Sequence, residues 1–226
     1  MNKHISKIDI SAFCILATIF VISTIVTPYP MSWLVKLLPM ILLIILAMKT
    51  LGSTKSSKFF ILGLIFSAGG DFILDYDRQN WFIFGLGAFF IAHLFYLASL
   101  KPLVKSLKKP QYLLIFTMYV GYGAGMLWLL FDGLGQLFLP VVAYMSILLL
   151  MALATVLSKR SNTWLVMGGL SFVLSDSLIG FDKFYMPVEN VHLAIMVSYY
   201  FAQFALFVGF LSSTNKALNQ ATKKAV

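Results

Sequence analysis

The sequence contains few charged residues. Charged side chains make up 11% of its 226 residues and hydrophobic ones 60%, whereas soluble domains carry roughly one quarter charged residues. This composition excludes an ordinary soluble domain and indicates a membrane protein. The formal net charge is +9, but the basic residues fall in short clusters between apolar segments. Such clusters are typical of membrane orientation, so no nucleic-acid partner is expected.

Cysteine and histidine are also scarce. The single cysteine, Cys14, lies in an apolar segment, which excludes an intrachain disulfide and a cysteine-based metal site. His4 precedes the first apolar segment and His192 lies near the end of another, which leaves only His93 inside a segment. A three-histidine zinc site is therefore not expected. The sequence also has no G-x-S-x-G elbow, P-loop or dinucleotide fingerprint, and we expect no cofactor.

Acidic residues are few, and their distribution is uneven. Five of the eight lie in two short stretches, each at the end of an otherwise apolar segment. The first stretch carries Asp71, Asp75 and Asp77, and the second carries Asp176 and Asp182. An aspartate at the centre of a membrane helix costs about 2.5–3.5 kcal/mol on insertion scales, so an acid within the membrane indicates a functional role.

Long apolar runs divide the chain and predict an all-α membrane protein. A spanning helix needs about 20 mostly apolar residues, and its backbone must be hydrogen-bonded within the segment. Because the connections are short, we expect one polytopic membrane domain over residues 1–226. The eight predicted transmembrane helices are Ile10–Val26, Met31–Met48, Phe59–Tyr76, Trp81–Leu100, Tyr112–Phe131, Leu137–Leu157, Trp164–Phe181 and Val191–Leu211.

The basic residues support this count and predict the orientation. Of the 17 lysines and arginines, 14 flank the predicted helices on one side. These 14 are Lys3, Lys7, Lys49, Lys55, Lys58, Lys101, Lys105, Lys108, Lys109, Lys159, Arg160, Lys216, Lys223 and Lys224. The positive-inside rule makes that side the cytoplasm, so both termini are predicted to be cytoplasmic, in a bacterial inner membrane. Lys36, Arg78 and Lys183 lie near the opposite face.

Predicted helices 3 and 7 share a pattern of charges. Superposing Asp71 on Asp176 also superposes Asp77 on Asp182, with a constant offset of 105 residues. The pattern suggests a parallel repeat of four plus four helices. Chance, or the chemistry common to helix ends at a membrane boundary, explains the match equally well.

Depth separates the acids of the first stretch. Asp71 lies 13 residues beyond Lys58, roughly 20 Å along a helix that rises about 1.5 Å per residue. Asp176 lies 12 residues beyond Trp164, at a similar height. Asp75 follows Asp71 by one helical turn and shares its face. The alternative for Asp71 and Asp176 is a structural role, in which hydrogen bonds to them hold helices together.

Two further predicted helices carry polar side chains at a similar depth. His93 lies near the membrane middle in predicted helix 4, with Tyr96 one turn deeper on the same face. In predicted helix 8, Tyr199 and Tyr200 stand at helical spacing from Gln203. These five are candidates for contacting substrate or water. The alternative is that they pack between helices and hydrogen-bond across them.

Paired carboxylates in a poorly solvated site can act as a general acid and a general base. Asp71 and Asp176 are therefore the candidate catalytic pair, with His93 as a third catalytic candidate and Asp75 as a residue that orients or tunes Asp71. A carboxylate-rich metal site of Asp71, Asp75 and His93 remains an alternative, although no metal is expected.

At these positions the sequence resembles the lysoplasmalogenase family of integral membrane proteins, also called YhhN-like. The resemblance rests on the order and spacing of short motifs over nearly the whole chain. The matching residues are Gly70, Asp71, Leu74, Phe84, Gly85, Phe89, His93, Tyr96, Ser175, Asp176, Ser177, Tyr199, Tyr200 and Gln203.

The resemblance implies hydrolysis of the vinyl ether bond of a lysophospholipid, lysoplasmalogen. The products would be a fatty aldehyde and glycerophosphocholine or glycerophosphoethanolamine. Such cleavage needs a proton donor for the β-carbon and a base for water, which matches the pair Asp71 and Asp176 without deciding which is which. His93, Tyr200 and Gln203 would position water or the ether oxygen.

Two alternatives stay open at this point. Lys36, Arg78 and Lys183 are candidates for holding the lipid phosphate, or they snorkel or pair with nearby acids. Intramembrane acids and a parallel repeat also describe a small proton-coupled transporter or lipid-handling protein. The sequence indicates neither the headgroup preference nor the oligomeric state.

Overall fold

The chain folds as a bundle of helices. A computed structural model describes residues 5–26, 29–77, 80–100 and 109–224. Within these ranges it contains eight α-helices, two short 3-10 helices and no β-strand. The α-helices are α1 (Lys7–Ser23), α2 (Ser32–Thr50), α3 (Lys55–Tyr76), α4 (Phe82–Leu100), α5 (Lys109–Leu134), α6 (Phe138–Leu157), α7 (Thr163–Phe184) and α8 (Val191–Lys224).

Seven helical stretches of the described residues are long and apolar enough to cross a membrane, so the chain is an integral membrane protein. One of them, Pro110–Leu157, has 48 residues and includes both α5 and α6. These two helices are joined by a 3-10 turn that starts at Gly135, whose φ of +47° favours glycine. They pack side by side, and the Tyr119 hydroxyl of α5 lies 3.5 Å from the Ala152 carbonyl of α6. The chain therefore reverses direction at this turn.

Several helices extend beyond the predicted apolar runs. α1 starts at Lys7 because Ser6 and Asp9 form a capping box in which each side chain accepts the other's backbone N–H. α8 continues past Leu211 to Lys224, through a polar segment that no apolar pattern marks. Lys101, Lys105 and Lys108, which support the predicted orientation, lie outside the described residues.

Two helix pairs make the most extensive contacts among the described residues, α3 with α4 and α7 with α8. Glycines allow these approaches. A Cβ at Gly63 would lie 2.5 Å from the ring of Tyr96, and one at Gly168 would lie 2.8 Å from the backbone nitrogen of Leu206. Small residues at such contacts bring helix backbones together in a membrane. Each pair contains one of the two helices that carry the intramembrane acids.

Candidate active site

A cavity of about 410 Å³ is lined by residues of α2, α3, α4, α7 and α8. Both predicted catalytic carboxylates, Asp71 of α3 and Asp176 of α7, line it, although they lie 105 residues apart in sequence. The other lining residues are Ser32, Lys36, Leu74, Asp75, Phe89, Ser175, Ile179, Asp182, Lys183, His192, Ile195, Met196 and Tyr199. The cavity thus brings together the two acidic stretches of the sequence.

Asp71 is part of a buried cluster of charges. Its Oδ1 lies 3.5 Å from Nζ of Lys36, and the Tyr199 hydroxyl donates a hydrogen bond to its Oδ2. The same lysine lies 4.0 Å from Oδ1 of Asp75, and Oδ2 of Asp75 accepts a hydrogen bond from the Ser32 hydroxyl. Lys36 thus bridges two carboxylates that stand one helical turn apart on α3.

Lys36 is buried, with 4% of its surface exposed. Lys36 pairs with nearby acids, which was the alternative to phosphate binding that the sequence left open. A buried charge needs a partner and hydrogen bonds to offset its desolvation, and Lys36 and Asp71 meet that need for one another. The Tyr200 hydroxyl fixes the backbone at this point by donating to the Lys36 carbonyl at 2.8 Å.

Asp176 is part of a second cluster, which it forms with Tyr144 and His93. The Tyr144 hydroxyl donates a hydrogen bond to its Oδ2, and Nε2 of His93 lies 3.7 Å from the same oxygen. Nε2 of His93 also lies 3.2 Å from the Tyr144 hydroxyl. The fully buried His93 ring packs against the ring of Phe172 at 4.6 Å between centroids. His93 therefore contacts Asp176 from within the bundle and does not line the cavity.

The two clusters are built in the same way. Asp71 is contacted by Lys36 from α2, in its own half of the chain, and by Tyr199 from α8, in the other half. Asp176 is contacted by Tyr144 from α6, in its own half, and by His93 from α4, in the other half. Each carboxylate is thus fixed by one helix from each half.

An apolar pocket extends from the cavity beside Asp176. It shares Leu74, Phe89, Asp176 and Ile179 with the cavity. Its other lining residues are Phe82, Leu86, Met126, Leu130, Val141, Tyr144, Met145, Leu148, Ser177, Gly180 and Phe184. Asp176 thus stands where a polar cavity and an apolar pocket meet, an arrangement that suits an amphiphilic ligand.

Three of the predicted substrate-contacting residues do not line the cavity. Tyr96 donates to Oε1 of Gln203 at 2.7 Å, and its hydroxyl lies 3.4 Å from that of Ser67. Tyr199 and Tyr200 do not share this contact, because their hydroxyls bond to Asp71 and to the Lys36 carbonyl. Tyr96, Gln203 and Tyr200 lie behind the cavity wall.

The charged residues at the outer end of the site have separate roles. Lys183 lines the cavity, and its Nζ lies 4.3 Å from the centre of the Phe82 ring. Asp182 accepts the backbone N–H of Val188 at 3.0 Å, and Asp77 accepts two hydrogen bonds from Asn80. Arg78 lies outside the described residues.

The metal alternative finds no support in the contacts. In the part of the chain that the structure describes, no three His, Cys, Asp or Glu side chains form a group that could hold a metal ion. Lys36 lies between Asp71 and Asp75, and His93 contacts Asp176 instead of those two acids.

Comparison with known proteins places the chain in a family. The sequence pattern of the YhhN family matches residues 31–210. This chain belongs to the YhhN family. The matched range contains all the described residues of both clusters and of the cavity between them.

Several relatives of this YhhN-family chain carry the name lysoplasmalogenase. A protein of Mycobacterium bovis is 31% identical over 161 residues, which cover 69% of this chain and 61% of that protein. Human TMEM86B is 32% identical over 66% of this chain and 62% of its own length, and mouse TMEM86B is 31% identical over 81% and 77%. The matched region thus spans about three fifths of the mycobacterial relative. No solved structure matches the chain.

Two residues of the YhhN-family site were missed from the sequence. Tyr144 lies in an otherwise apolar helix, where one aromatic hydroxyl gives no signal of its own, and only the packing of α6 on α4 and α7 brings it to Asp176. Ser32 begins α2 and bonds Asp75 across 43 positions of sequence. Both contacts are long-range and carry no local pattern.

Proposed function

We propose that this chain is a membrane-embedded hydrolase that cleaves the vinyl ether bond of lysoplasmalogen by carboxylate acid–base catalysis. The observation that carries the proposal is the shared cavity of Asp71 and Asp176, each held by a tyrosine hydroxyl. Family membership and the names of the relatives support the same activity. The products are a fatty aldehyde and the glycerophospho-alcohol.

The apolar pocket and the polar cavity together indicate how the lipid is oriented in the site. The apolar pocket beside Asp176 accepts the first carbons of the alkenyl chain, and the polar part near Asp71 accepts the glycerol and water. The phosphate then faces the outer end of the cavity, where Lys183 supplies positive charge. Lys36, which is already paired with two carboxylates, acts by holding Asp71.

In the first step, Asp176 donates a proton to the β-carbon of the vinyl ether. Asp176 takes this role because it borders the apolar pocket in which that carbon lies. The carbon–carbon double bond becomes a single bond, and the α-carbon and ether oxygen share the positive charge of an oxocarbenium ion. The Tyr144 hydroxyl stabilises the carboxylate left on Asp176, and His93 holds that hydroxyl in place.

In the second step, Asp71 accepts a proton from a water molecule as the water oxygen bonds to the α-carbon. This addition forms a hemiacetal. Its carbon–oxygen bond to glycerol then breaks as Asp71 gives its proton to the leaving oxygen. The hemiacetal hydroxyl gives its proton to Asp176, which yields the aldehyde and restores both carboxyl groups. The net reaction adds one water molecule and consumes no cofactor, and neither step requires a nucleophilic serine.

For the whole chain we propose one polytopic domain with eight membrane spans and both termini in the cytoplasm. The reversal at Gly135 supports counting α5 and α6 as two spans. The charge distribution of the sequence supports the orientation, and a bacterial inner membrane is the proposed location. The lysophospholipid then reaches the cavity from the bilayer.

The two clusters support the proposed parallel repeat of four plus four helices. Lys36 and Tyr144 come from the second helix of each half, and Tyr199 and His93 from the fourth. Together with the offset of 105 residues between Asp71 and Asp176, this pairing is what two related halves would produce. Each half then supplies one of the two catalytic carboxylates.

The alternative of a proton-coupled transporter is supported by the buried ion pair of Lys36 with Asp71. One experiment separates the two functions. Purified protein in detergent is incubated with lysoplasmenylcholine or lysoplasmenylethanolamine, and released aldehyde is measured. An enzyme releases aldehyde in detergent, whereas a transporter requires a sealed membrane and leaves the lipid intact.

The same assay tests the carboxylate pair. Asp71→Asn and Asp176→Asn keep the side-chain shape and remove the acid, and each is expected to lower kcat by about 10²–10⁴-fold, the usual contribution of a general acid or base. Asp132→Asn is the matched control, because Asp132 is an exposed aspartate of α5 that does not line the cavity. Full activity in both cavity variants would refute the pair.

A further inference from the structure

A second cavity, of about 380 Å³, opens beside the first between the start of α2 and the end of α3. Three aromatic residues and one acid line it, namely Tyr29, Trp33, Tyr76 and Asp75. Ser32 and Asp75 line both cavities, so the two meet at the Asp75 side chain. We call this second space the ring cavity.

We propose that the ring cavity binds the quaternary ammonium group of a choline lysophospholipid. The inference rests on the proposed function, because it assigns the headgroup position of the same lipid. Aromatic faces within about 6 Å attract a quaternary ammonium through the ring quadrupole, and a cage of such rings is the usual protein site for choline. Here three aromatic residues and a carboxylate line the same cavity.

The charges next to the ring cavity favour a cation. Lys36 carries one positive charge, whereas Asp71 and Asp75 carry two negative charges when ionised. The cluster thus has an excess negative charge, and Asp75 is the acid of the pair that borders the rings. A bound ammonium would balance this charge without displacing Lys36.

Each of the three rings has a neighbour that restricts it, and Tyr76 is also 59% exposed to a ligand. Trp33 stands edge-on against Phe72 with 5.1 Å between ring centroids, and Tyr76 lies 5.6 Å from Phe72 and 5.2 Å from Trp81. The Tyr29 hydroxyl is hydrogen-bonded to that of Ser23 at 2.9 Å. A preorganised cage binds more tightly because less side-chain entropy is lost on binding.

Tryptophan and tyrosine also gather at membrane interfaces for reasons unrelated to ligands. An interfacial belt does not require the rings to enclose a buried carboxylate. Here the side chain of Asp75 is only 8% exposed and faces both the ring cavity and the catalytic cavity. This enclosed acid is what favours a cation site over a belt.

The position of the ring cavity matches the layout of the lipid. Asp75 stands one turn beyond Asp71 on α3, about 6 Å further towards the end of the helix. A headgroup at Asp75 therefore leaves the glycerol and the vinyl ether at the depth of Asp71 and Asp176. The ring cavity, the catalytic cavity and the apolar pocket then follow one another in the order of headgroup, ether and chain.

Binding of uncleavable lipids tests the proposal separately from catalysis. The probes are a 1-O-alkyl lysophosphocholine and the matched 1-O-alkyl lysophosphoglycerol, which lack the double bond, titrated calorimetrically into purified protein in maltoside. Trp33→Leu and Tyr76→Leu are each expected to weaken choline-probe binding by about threefold to thirtyfold, the range of a cation–π contact. Trp128→Leu is the control, because Trp128 is 82% exposed on α5 and lines neither cavity.

If the variants bind the choline probe more weakly and the glycerol probe as before, the ring cavity is supported. The unchanged binding of the glycerol probe also shows that the variants are folded. Equal losses for both probes, or no loss for either, would overturn it. Phosphocholine without a chain is a third probe, and binding as tight as that of the lipid would also contradict a lipid headgroup site. Selective binding without any aldehyde release would refute the proposed hydrolase and leave the ring cavity supported.

Discussion

At the scale of single residues, Tyr144 is the least expected member of the site. Its hydroxyl stands between His93 and Asp176 and contacts both. Tyr144→Phe keeps the ring and removes that hydroxyl. A hydrogen bond to a charged group contributes about 1.5–3 kcal/mol, so we expect kcat for aldehyde release to fall roughly tenfold to hundredfold.

Because Tyr144→Phe keeps the ring that lines the apolar pocket and removes only the hydroxyl that contacts Asp176, it should leave KM nearly unchanged. Tyr119→Phe is the control, since the Tyr119 hydroxyl makes only a 3.5 Å contact with the Ala152 carbonyl, away from the cavity. Steady-state kinetics on both variants provides the test. Equal kcat values for Tyr144→Phe and Tyr119→Phe would contradict the role of the hydroxyl.

Lys36 leads to a prediction about stability. Lys36→Met removes the ammonium and leaves Asp71 and Asp75 buried side by side without a counter-charge. Breaking a buried ion pair on one side typically costs about 3–5 kcal/mol, so the thermal unfolding midpoint in detergent should fall clearly below that of the exposed control Lys58→Met.

A second substitution separates charge from packing at Lys36. Combining Lys36→Met with Asp75→Asn removes one of the two unpaired acids and should recover part of the lost stability. If the double variant loses as much free energy of unfolding as the two single variants together, the ion pair does not explain the effect.

The sequence indicated which acids lie inside the bundle, but it did not indicate which residues contact them. Asp71 and Asp176 stand out because a carboxylate in an apolar helix is costly and needs a reason. The partners of these acids cannot be found in the same way. Tyr199 meets Asp71 across 128 positions of sequence, and a tyrosine in a membrane helix has too many ordinary uses to indicate which acid it contacts.

At the scale of helices, close packing of α7 on α8 sets the position of Asp176. A Cβ at Gly168 would lie 2.8 Å from the backbone nitrogen of Leu206 and 3.1 Å from the Ala202 carbonyl oxygen. Backbone atoms cannot rotate away, so Gly168→Ala should push the helices apart at a cost of about 1–3 kcal/mol. We expect a lower unfolding midpoint in detergent, together with reduced aldehyde release.

Gly121→Ala is the matched control, because a Cβ at Gly121 would meet nothing within 4 Å. It should leave the unfolding midpoint unchanged or raise it slightly, since alanine favours helix over glycine. A midpoint for Gly168→Ala equal to that of Gly121→Ala would mean that this contact is not tight.

Apolar run length predicted the number of α-helices but not all of their ends. The run predicted to end at Leu211 continues as α8 to Lys224, because a polar segment can remain helical once it leaves the apolar run. Phe131 and Leu137 were predicted to end one helix and begin the next, and α5 and α6 meet there at a 3-10 turn that starts at Gly135. Local sequence thus indicates where a helix breaks better than where it ends in polar surroundings.

At the scale of the whole molecule, the proposed eight spans place residue 53 in the cytoplasm and residue 136 outside. In a Cys14→Ser background, Ser53→Cys should react with a membrane-impermeant maleimide only after cells are permeabilised. Gln136→Cys should react in intact cells, because Gln136 lies in the exposed turn between α5 and α6. Labelling of both positions from the same side would contradict the eight-span topology.

The central claim is that two carboxylates from opposite halves of the chain cleave a vinyl ether by protonating its β-carbon. Running the reaction in D₂O, with immediate trapping of the aldehyde and mass spectrometry, tests it most directly. The proposed mechanism predicts an aldehyde with one deuterium on the carbon next to the carbonyl, and loss of this product in Asp71→Asn and Asp176→Asn. An aldehyde without deuterium at that carbon, or unchanged product from both variants, would contradict the claim.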